Sequence, residues 1–328
     1  MSLSKFFHQS YMKKQSISSD TTEENSKAYD DFLKKLTLHK VDYVVRDSEN
    51  FPSSLYNIDD CPEVLFYKGD LESVTKSKCV AIVGTRHPSS YGMKVAFDLS
   101  EYLSRNGVTV VSGLADGIDT AVHKGTLKAK GRTAAVMATG PLKTYPKHNT
   151  ILSNEIVDTG GVILSEKPLD ESARRYDFPF RNRIISGLAD SVVIIEASHK
   201  SGSMITAKYA VQQGKNVFSL PGNIYAEVHQ GTNQLIYDGA TPLINFEDVL
   251  LSLQLRPIEN EINRKIDVFL TDFEHEVLHY IKKYNIIEID FLVKLMKVPI
   301  EDVNSAVSKF LIEDICRYNS LTSVQYIG

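Results

Sequence analysis

The chain is poor in cysteine, has no long apolar run and carries almost no charge imbalance, and each shortage removes a class of protein. Its three cysteines, Cys61, Cys79 and Cys316, stand far apart. No C-x-x-C or H-E-x-x-H spacing occurs, so no metal site is expected. An odd count without a disulfide framework suits a reducing compartment, and a cytoplasmic chain is expected. Met1 to Lys14 contain no apolar signal core or cleavage signature. No run approaches the roughly 20 apolar residues that span a bilayer, so no membrane partner is expected. Lys+Arg 37 against Asp+Glu 41 leaves a net charge of -4. That balance excludes a generally basic, histone-like binder but leaves room for a local basic cleft. Two phosphate signatures are missing as well. G-x-G-x-x-G does not follow the first strand of the repeating pattern, no acid ends the second, and G-x-x-x-x-G-K-[ST] is absent. Dinucleotide binding and P-loop NTPase chemistry are therefore disfavoured, and no cofactor is expected.

What is present is a soluble, globular composition, 42% hydrophobic, long enough for one large domain and one or two small ones. Residues 1–26 are polar and expected to be mobile. Ala28, Phe32, Leu33 and Leu36 recur at helical spacing, giving a short helix over about 24–38. Val41–Val45 and Val64–Tyr67 read as strands. Short apolar runs then recur at Val80–Val83, Val108–Val111, Ala134–Ala138, Val162–Leu164, Val192–Ile195 and Val217–Leu220. They are rich in β-branched residues and do not alternate with polar ones, as in strands buried on both faces. Helical segments fit between them at about 92–105, 117–130, 148–159, 178–188 and 203–213. This rhythm predicts an α/β fold, a doubly wound, mostly parallel sheet. The domain plan is an N-terminal extension with a short helix over 1–45, the sheet domain over 46–255, a polar linker over 256–266, and a second unit over 267–328. In that unit Thr271 and Glu274 form a capping-box pattern. Three helices and a hairpin around Asn319-Ser320 describe a winged helix.

In an open parallel sheet, ligands bind beyond the carboxyl ends of the strands. Five of the six loops there contain glycine: Gly84, Gly113 with Gly117, Gly140, Gly202 and Gly222. A glycine turn feeding a helix offers unpaired N–H groups to an anion. The loops also carry Arg86, Lys147 and Lys200, and Phe178-Pro179-Phe180-Arg181-Asn182-Arg183 adds two arginines and two aromatics. A phosphate-bearing ligand fits, either a mononucleotide or a polynucleotide; spacing alone does not choose.

The residues do resemble a known family. Val80-Ala-Ile-Val-Gly-Thr-Arg86 with Tyr91-Gly92, and Ser112-Gly-Leu-Ala-Asp-Gly-Ile-Asp119 with His123, are similar to the DprA/Smf family of DNA-processing proteins. Tyr145-Pro146-Lys147, Ser165-Glu166, Phe178 to Leu188, Glu196-Ala197, Ser201 to Thr206, Pro221-Gly222 and Gly231 to Ile236 continue the likeness in order. It covers about residues 50–250. The resemblance implies a Rossmann-like domain that binds single-stranded DNA, dimerises, and loads the RecA recombinase onto DNA in transformation or recombination, with no catalytic residues. In two places the chain departs from the family. Thr85 stands where the family more often has serine, and the segment before residue 40 is short and polar for its N-terminal helical domain.

The expected DNA contacts are Gly84, Thr85 and Arg86, then Lys147, then Ser201, Gly202 and Ser203 at a helix N-terminus. Arg181 and Arg183 join them, one facing DNA and one tied to a neighbouring acid. Asp119 and His123, four residues apart on a helix, are expected to hydrogen-bond and fix the loop over 112–117 rather than act as acid and base. Glu166 and Glu196 are read as loop organisers. Tyr145, Phe178 and Phe180 could stack bases or pack beneath the loops. Two other readings compete. A nucleotide phosphoribohydrolase would carry Pro-Gly-Gly-x-Gly-Thr-x-x-Glu, but Asn223 follows Pro221-Gly222 and Asn233 follows Gly231-Thr232. A winged-helix transcription factor would need a basic reading helix. From Asp267 onward six bases face ten acids, and Glu301-Asp302 begin the third helix. That unit is expected to contact protein.

Overall fold

The computed structural model describes residues 3–7, 22–258, 270–312, 315–320 and 322–326. Most of the polar stretch over 1–26, and the linker beyond residue 258, lie outside them. The chain forms two units, Met1–Leu255 and Arg256–Gly328.

The first unit is built on β1 (Asp42–Val45), β2 (Val64–Gly69), β3 (Cys79–Val83), β4 (Thr109–Ser112), β5 (Thr133–Met137), β6 (Val162–Ser165), β7 (Ser191–Ile194), β8 (Asn216–Ser219) and β9 (Thr241–Pro242). The principal helices are α1 (Thr22–Leu38), α2 (Ser90–Arg105), α3 (Ile118–Lys128), α4 (Thr150–Asp158), α5 (Asp177–Leu188), α6 (Gly202–Gln212), α7 (Glu227–Tyr237) and α8 (Phe246–Ser252). The strands form one sheet in the order β1-β2-β6-β5-β4-β3-β7-β8-β9. Every pair from β6 to β9 is parallel.

Consecutive side chains of a strand point to opposite faces, so a run apolar at every position needs a cover on both. Ala81 and Val83 of β3 join Ile184, Ile185, Leu188 and Ala207 on the face covered by α5 and α6. Val80 and Ile82 join Leu99, Leu103, Val122 and Val249 on the face covered by α2, α3 and α8. Burying an aliphatic as completely as Ile82 contributes about 1.5–3 kcal/mol. This is the doubly wound, Rossmann-like sheet that the rhythm of apolar runs predicts.

The lead-in is more closely integrated than the domain plan had it. Residues 22–45 are not a separate extension. Phe32 and Leu36 of α1 pack with Val64, Phe66 and Leu169, and β1 pairs with β2, which pairs with β6, both antiparallel. Without Phe66, the apolar stripe of α1 would lack a floor.

From β3 the chain steps outward through β4, β5 and β6, then crosses back to place β7 against the other side of β3. The reversal opens a crevice between the loops that follow β3 and β7, the place where open α/β sheets bind ligands.

The second unit contains α9 (Asp272–Tyr284), β10 (Ile286–Glu288), α10 (Ile289–Met296), α11 (Ile300–Ile312), β11 (Cys316–Tyr318) and β12 (Ser323–Tyr326). Thr271 Oγ1 accepts from Glu274 N at 3.2 Å and Glu274 Oε2 accepts from Thr271 N at 2.7 Å, closing the capping box. Val277, Ile281, Leu292, Val303, Val307, Phe310 and Val324 form its core. The hairpin gains a third strand, β10, in the order β10-β12-β11.

Candidate functional site

The loop after β3 is held at both ends by one residue of β7's loop. Thr85 N donates to Glu196 O at 2.7 Å. The Glu196 carboxylate accepts from Ser89 N at 2.8 Å and Ser89 Oγ at 2.5 Å, while Ser89 Oγ caps α2 by accepting from Gly92 N at 3.1 Å. Gly92 has to be glycine here, because a Cβ would lie 2.4 Å from that carboxylate. The loop after β4 closes on the same segment. Ile118 N donates to Thr85 O at 3.2 Å. Gly117 has φ +73°, and a Cβ on it would meet Thr85 O at 2.6 Å and Arg86 O at 2.7 Å. Arg86 is therefore exposed on a loop whose backbone is fixed from two directions.

Asp119 Oδ2 accepts from Gly113 N at 3.1 Å and from Ala115 N at 3.3 Å in the loop over 112–117. Burial pushes its carboxyl pKa up, against the pull of the Arg181 guanidinium and these N–H donors. His123 does something else. It makes no hydrogen bond to Asp119 or to the loop among the described residues. Thr133 Oγ1 donates to Val110 O, so its lone pair accepts from His123 Nδ1–H at 2.8 Å. The ring thus ties α3 to β5, and Nε2 is buried without a hydrogen-bond partner among the described residues. Burial, then the nearby Arg181 charge, pushes the imidazole down to about 3. A base whose folded pKa is depressed binds fewer protons folded than unfolded between about 3 and its ordinary value of about 6.5. Stability is expected to fall as pH drops through that window, at up to about 1.4 kcal/mol per pH unit from this group. Urea melts at a series of pH values should show this slope, and His123→Asn should flatten it.

Neither arginine of α5, of which one is expected to face DNA and one to meet an acid, is a free surface cation, although Arg181 lines the cleft that holds Arg86. Arg183 is 2% exposed; its Nη2 donates to both Glu166 oxygens at 2.8 and 2.9 Å, its Nε to Asp60 O at 3.0 Å, and its guanidinium lies 3.8 Å from the Phe180 ring centroid. It is the arginine tied to an acid, and Glu166 organises this contact. Arg181 also turns inward, its Nη1 donating to Gly113 O at 3.0 Å and to Val136 O. Burial lowers its pKa to about 10, which leaves it charged at neutral pH. Buried guanidinium groups need such fixed acceptors, and α5 is buried along this face.

Gly84, Thr85, Arg86, Ser201, Gly202 and Ser203 come together on one cleft of about 950 Å³. Ser201 caps α6, its side chain accepting from Ser203 N at 3.3 Å. Arg86 has no carboxylate in ion-pair range among the described residues. Asp116 engages His148 at 2.6 Å and Glu166 engages Arg183. The Arg86 guanidinium instead sits 5.4 Å from the Phe178 ring centroid. Lys147 is exposed in a neighbouring cleft of about 780 Å³. Arg183 and Glu166 line a third, of about 830 Å³. Arg175, Tyr176 and Asn182 also line the first cleft, and sequence reasoning missed them. The signal was Arg174-Arg175-Tyr176, a basic and aromatic triplet shortly before Phe178. No group of three or more metal-ligating side chains occurs among the described residues. No described helix is long and apolar enough to cross a membrane.

Residues 42–254 match the sequence profile of DNA recombination-mediator protein A. The chain is 40% identical over 212 residues to DNA processing protein DprA of Bacillus subtilis, covering 65% of this chain and 71% of that one. It is 40% identical over 208 residues to protein Smf of Escherichia coli, covering 63% and 55%, so it spans little more than half of that relative. The X-ray structure of DprA from Streptococcus pneumoniae aligns with a TM-score of 0.63 at 38% identity, over 70% of this chain and 80% of that one. DprA from Helicobacter pylori, a structure described for its single-stranded DNA binding mode, aligns with a TM-score of 0.59 at 32% identity, over 65% and 95%.

Proposed function

The chain belongs to the DNA recombination-mediator protein A family, the DprA/Smf proteins, and from that premise we propose that it binds single-stranded DNA without sequence preference along the loops after β3, β5 and β7. The observation that carries this reading is Arg86. It is an exposed guanidinium on a rigid strand-end loop, unneutralised by any carboxylate of the described residues, at the crevice where this sheet topology binds ligands. Gly84, Thr85 and the α6 N-terminus at Ser201–Ser203 line the same cleft beside it, and Lys147 extends the cationic line. The Helicobacter pylori relative's single-stranded DNA binding supports the choice of polynucleotide over mononucleotide.

In the full reading the protein works as a cytoplasmic homodimer that hands bound strands to the RecA recombinase, and no covalent chemistry is its task. Residues 270–326 are read as a winged helix that contacts protein. The first turn of α11 carries Glu301 and Asp302, which would repel a DNA backbone. An electrophoretic titration of single- and double-stranded oligonucleotides tests the central claim. Tighter binding of the single strand, weakening steeply with salt, is expected. Release of free base from a mononucleotide, without retention of oligonucleotide, would favour the phosphoribohydrolase instead. Faster RecA filament assembly on pre-bound strands tests the recombinase step.

A further inference from the structure

The cleft that holds Arg86 and the neighbouring cleft that holds Lys147 share two lining side chains, Tyr145 and Phe178. These rings form a ridge between them, with centroids 5.4 Å apart and planes tilted by 58°. The two sides differ in chemistry. On the first side the walls are the loops after β3 and β7 and the start of α5, which bring Arg86, Arg175, Arg181 and Asn182 to the cleft. On the second, Leu142, Pro146, Thr150 and Ala173 supply the wall, with Lys143 and Lys147 beside it.

We propose that this second cleft is a nucleobase subsite, in which bases of a single strand stack against Tyr145 while the phosphates on either side follow Arg86 and Lys147. The proposal rests on the DNA reading above and extends it from phosphate to base. A phosphate pushed against Leu142 and Ala173 would lose water without gaining enough donors. Lys143 is already donating to Ser172 Oγ at 2.7 Å. A base has the opposite needs, because its faces are apolar and its edge can remain at the wet rim. About 780 Å³ is within the range of sites that enclose ring-sized ligands.

Tyr145 is the platform rather than Phe178 because of what already covers each ring. Phe178 carries the Arg86 guanidinium at 5.4 Å from its centroid on one side and Tyr145 on another. Tyr145 is 53% exposed at the crest of the ridge. A strand crossing there leaves the cationic loop, lays a base on an open aromatic face and meets Lys147 beyond it. Every base has such a face, so the subsite adds affinity without adding sequence preference.

The chain contains no tryptophan, so Tyr145→Trp would install a single indole at the crest. Its emission is expected to be quenched by a thymidine oligonucleotide and left unchanged by a chain of the same length built from abasic deoxyribose phosphates. In parallel, Tyr145→Ala is expected to bind the oligonucleotide about tenfold more weakly, with the wild-type salt slope, since every cation stays in the interface. Tyr145→Phe should bind as wild type, and neither variant should change the melting temperature, because the side chain is exposed. If the wild-type protein holds the abasic chain as tightly as the oligonucleotide, and Tyr145→Ala matches wild type, the base subsite is overturned while phosphate binding stands. If the wild-type protein holds neither, the DNA reading itself fails, and the subsite with it.

Discussion

Arg86→Ala is expected to bind single-stranded oligonucleotides at least tenfold more weakly in low salt, by the same factor for every sequence. A charge-assisted hydrogen bond to phosphate contributes electrostatically, so the slope of log K against log salt should flatten by about 0.7 for each phosphate that Arg86 no longer neutralises. The variant should fold normally. Arg86 is exposed, and its loop is held by backbone hydrogen bonds with Glu196 and Ile118 that the substitution leaves in place. Lys147→Ala should act in the same direction with a smaller effect, because an ammonium meets phosphate as a point charge rather than a fork. The assay is a fluorescence-anisotropy titration at four or five salt concentrations. An Arg86→Ala protein with wild-type affinity and an unchanged slope would remove this loop from the interface.

Arg181→Met should behave in the opposite manner, losing stability first. Its guanidinium is 8% exposed and donates to two backbone carbonyls beside the buried Asp119 carboxylate. Removing the cation strips those carbonyls of a donor and leaves Asp119 with its N–H partners and the Ser112 hydroxyl but no counter-charge. Breaking such a buried arrangement from one side costs about 3–5 kcal/mol, which in a domain of this size lowers the melting temperature by roughly 10 °C. The pH dependence identifies the cause. A carboxyl with a raised folded pKa contributes stability below its unfolded value and loses it as pH rises through the folded value. Asp119 is already raised, and without Arg181 it rises further. The deficit of Arg181→Met should therefore be largest near neutral pH and shrink in acid, as Asp119 takes up its proton. A deficit that does not change with pH would show that Arg181 acts only through packing.

Arg86 and Arg181 also show how far the sequence could be read. Arg86 follows Gly-Thr at a strand end and reads as a DNA contact outright, whereas Arg181 and Arg183 read as a pair of which one faces DNA and one meets an acid. What separates Arg86 from Arg181 is burial, which depends on how α5 sits against β5 and the loop after β4. Adjacency in sequence does not carry that information. The same limit explains Arg175 and Tyr176, which reach the cleft through the path of an irregular loop. Helix α7 has no counterpart among the expected helices, and Gly231 lies within it, where a glycine weakens a helical pattern. The glycine is there because Gly231 N donates to Ala197 O at 2.8 Å and a Cβ would stand 2.7 Å from that oxygen. The six buried strands were legible because each is apolar at nearly every position. The loops after them were legible because the strands were. Asp119 followed from its place at the end of a glycine turn, whereas the link from His123 to Thr133 joins two elements that no local pattern connects.

The clasp that Glu196 places on the Arg86 loop has a consequence for the order of events on the ribosome. Ser89 and Glu196 are 107 residues apart, and β3 has β4 on one side long before β7 emerges to take the other. A nascent chain that ends before β7 can pair its first strands, yet the cationic loop has no anchor and α2 has no fixed start. The face that holds Arg86 is therefore completed late in synthesis, by a contact of long sequence separation. Prematurely terminated chains would carry the arginine without the geometry that presents it, and so would compete poorly with the finished protein for DNA.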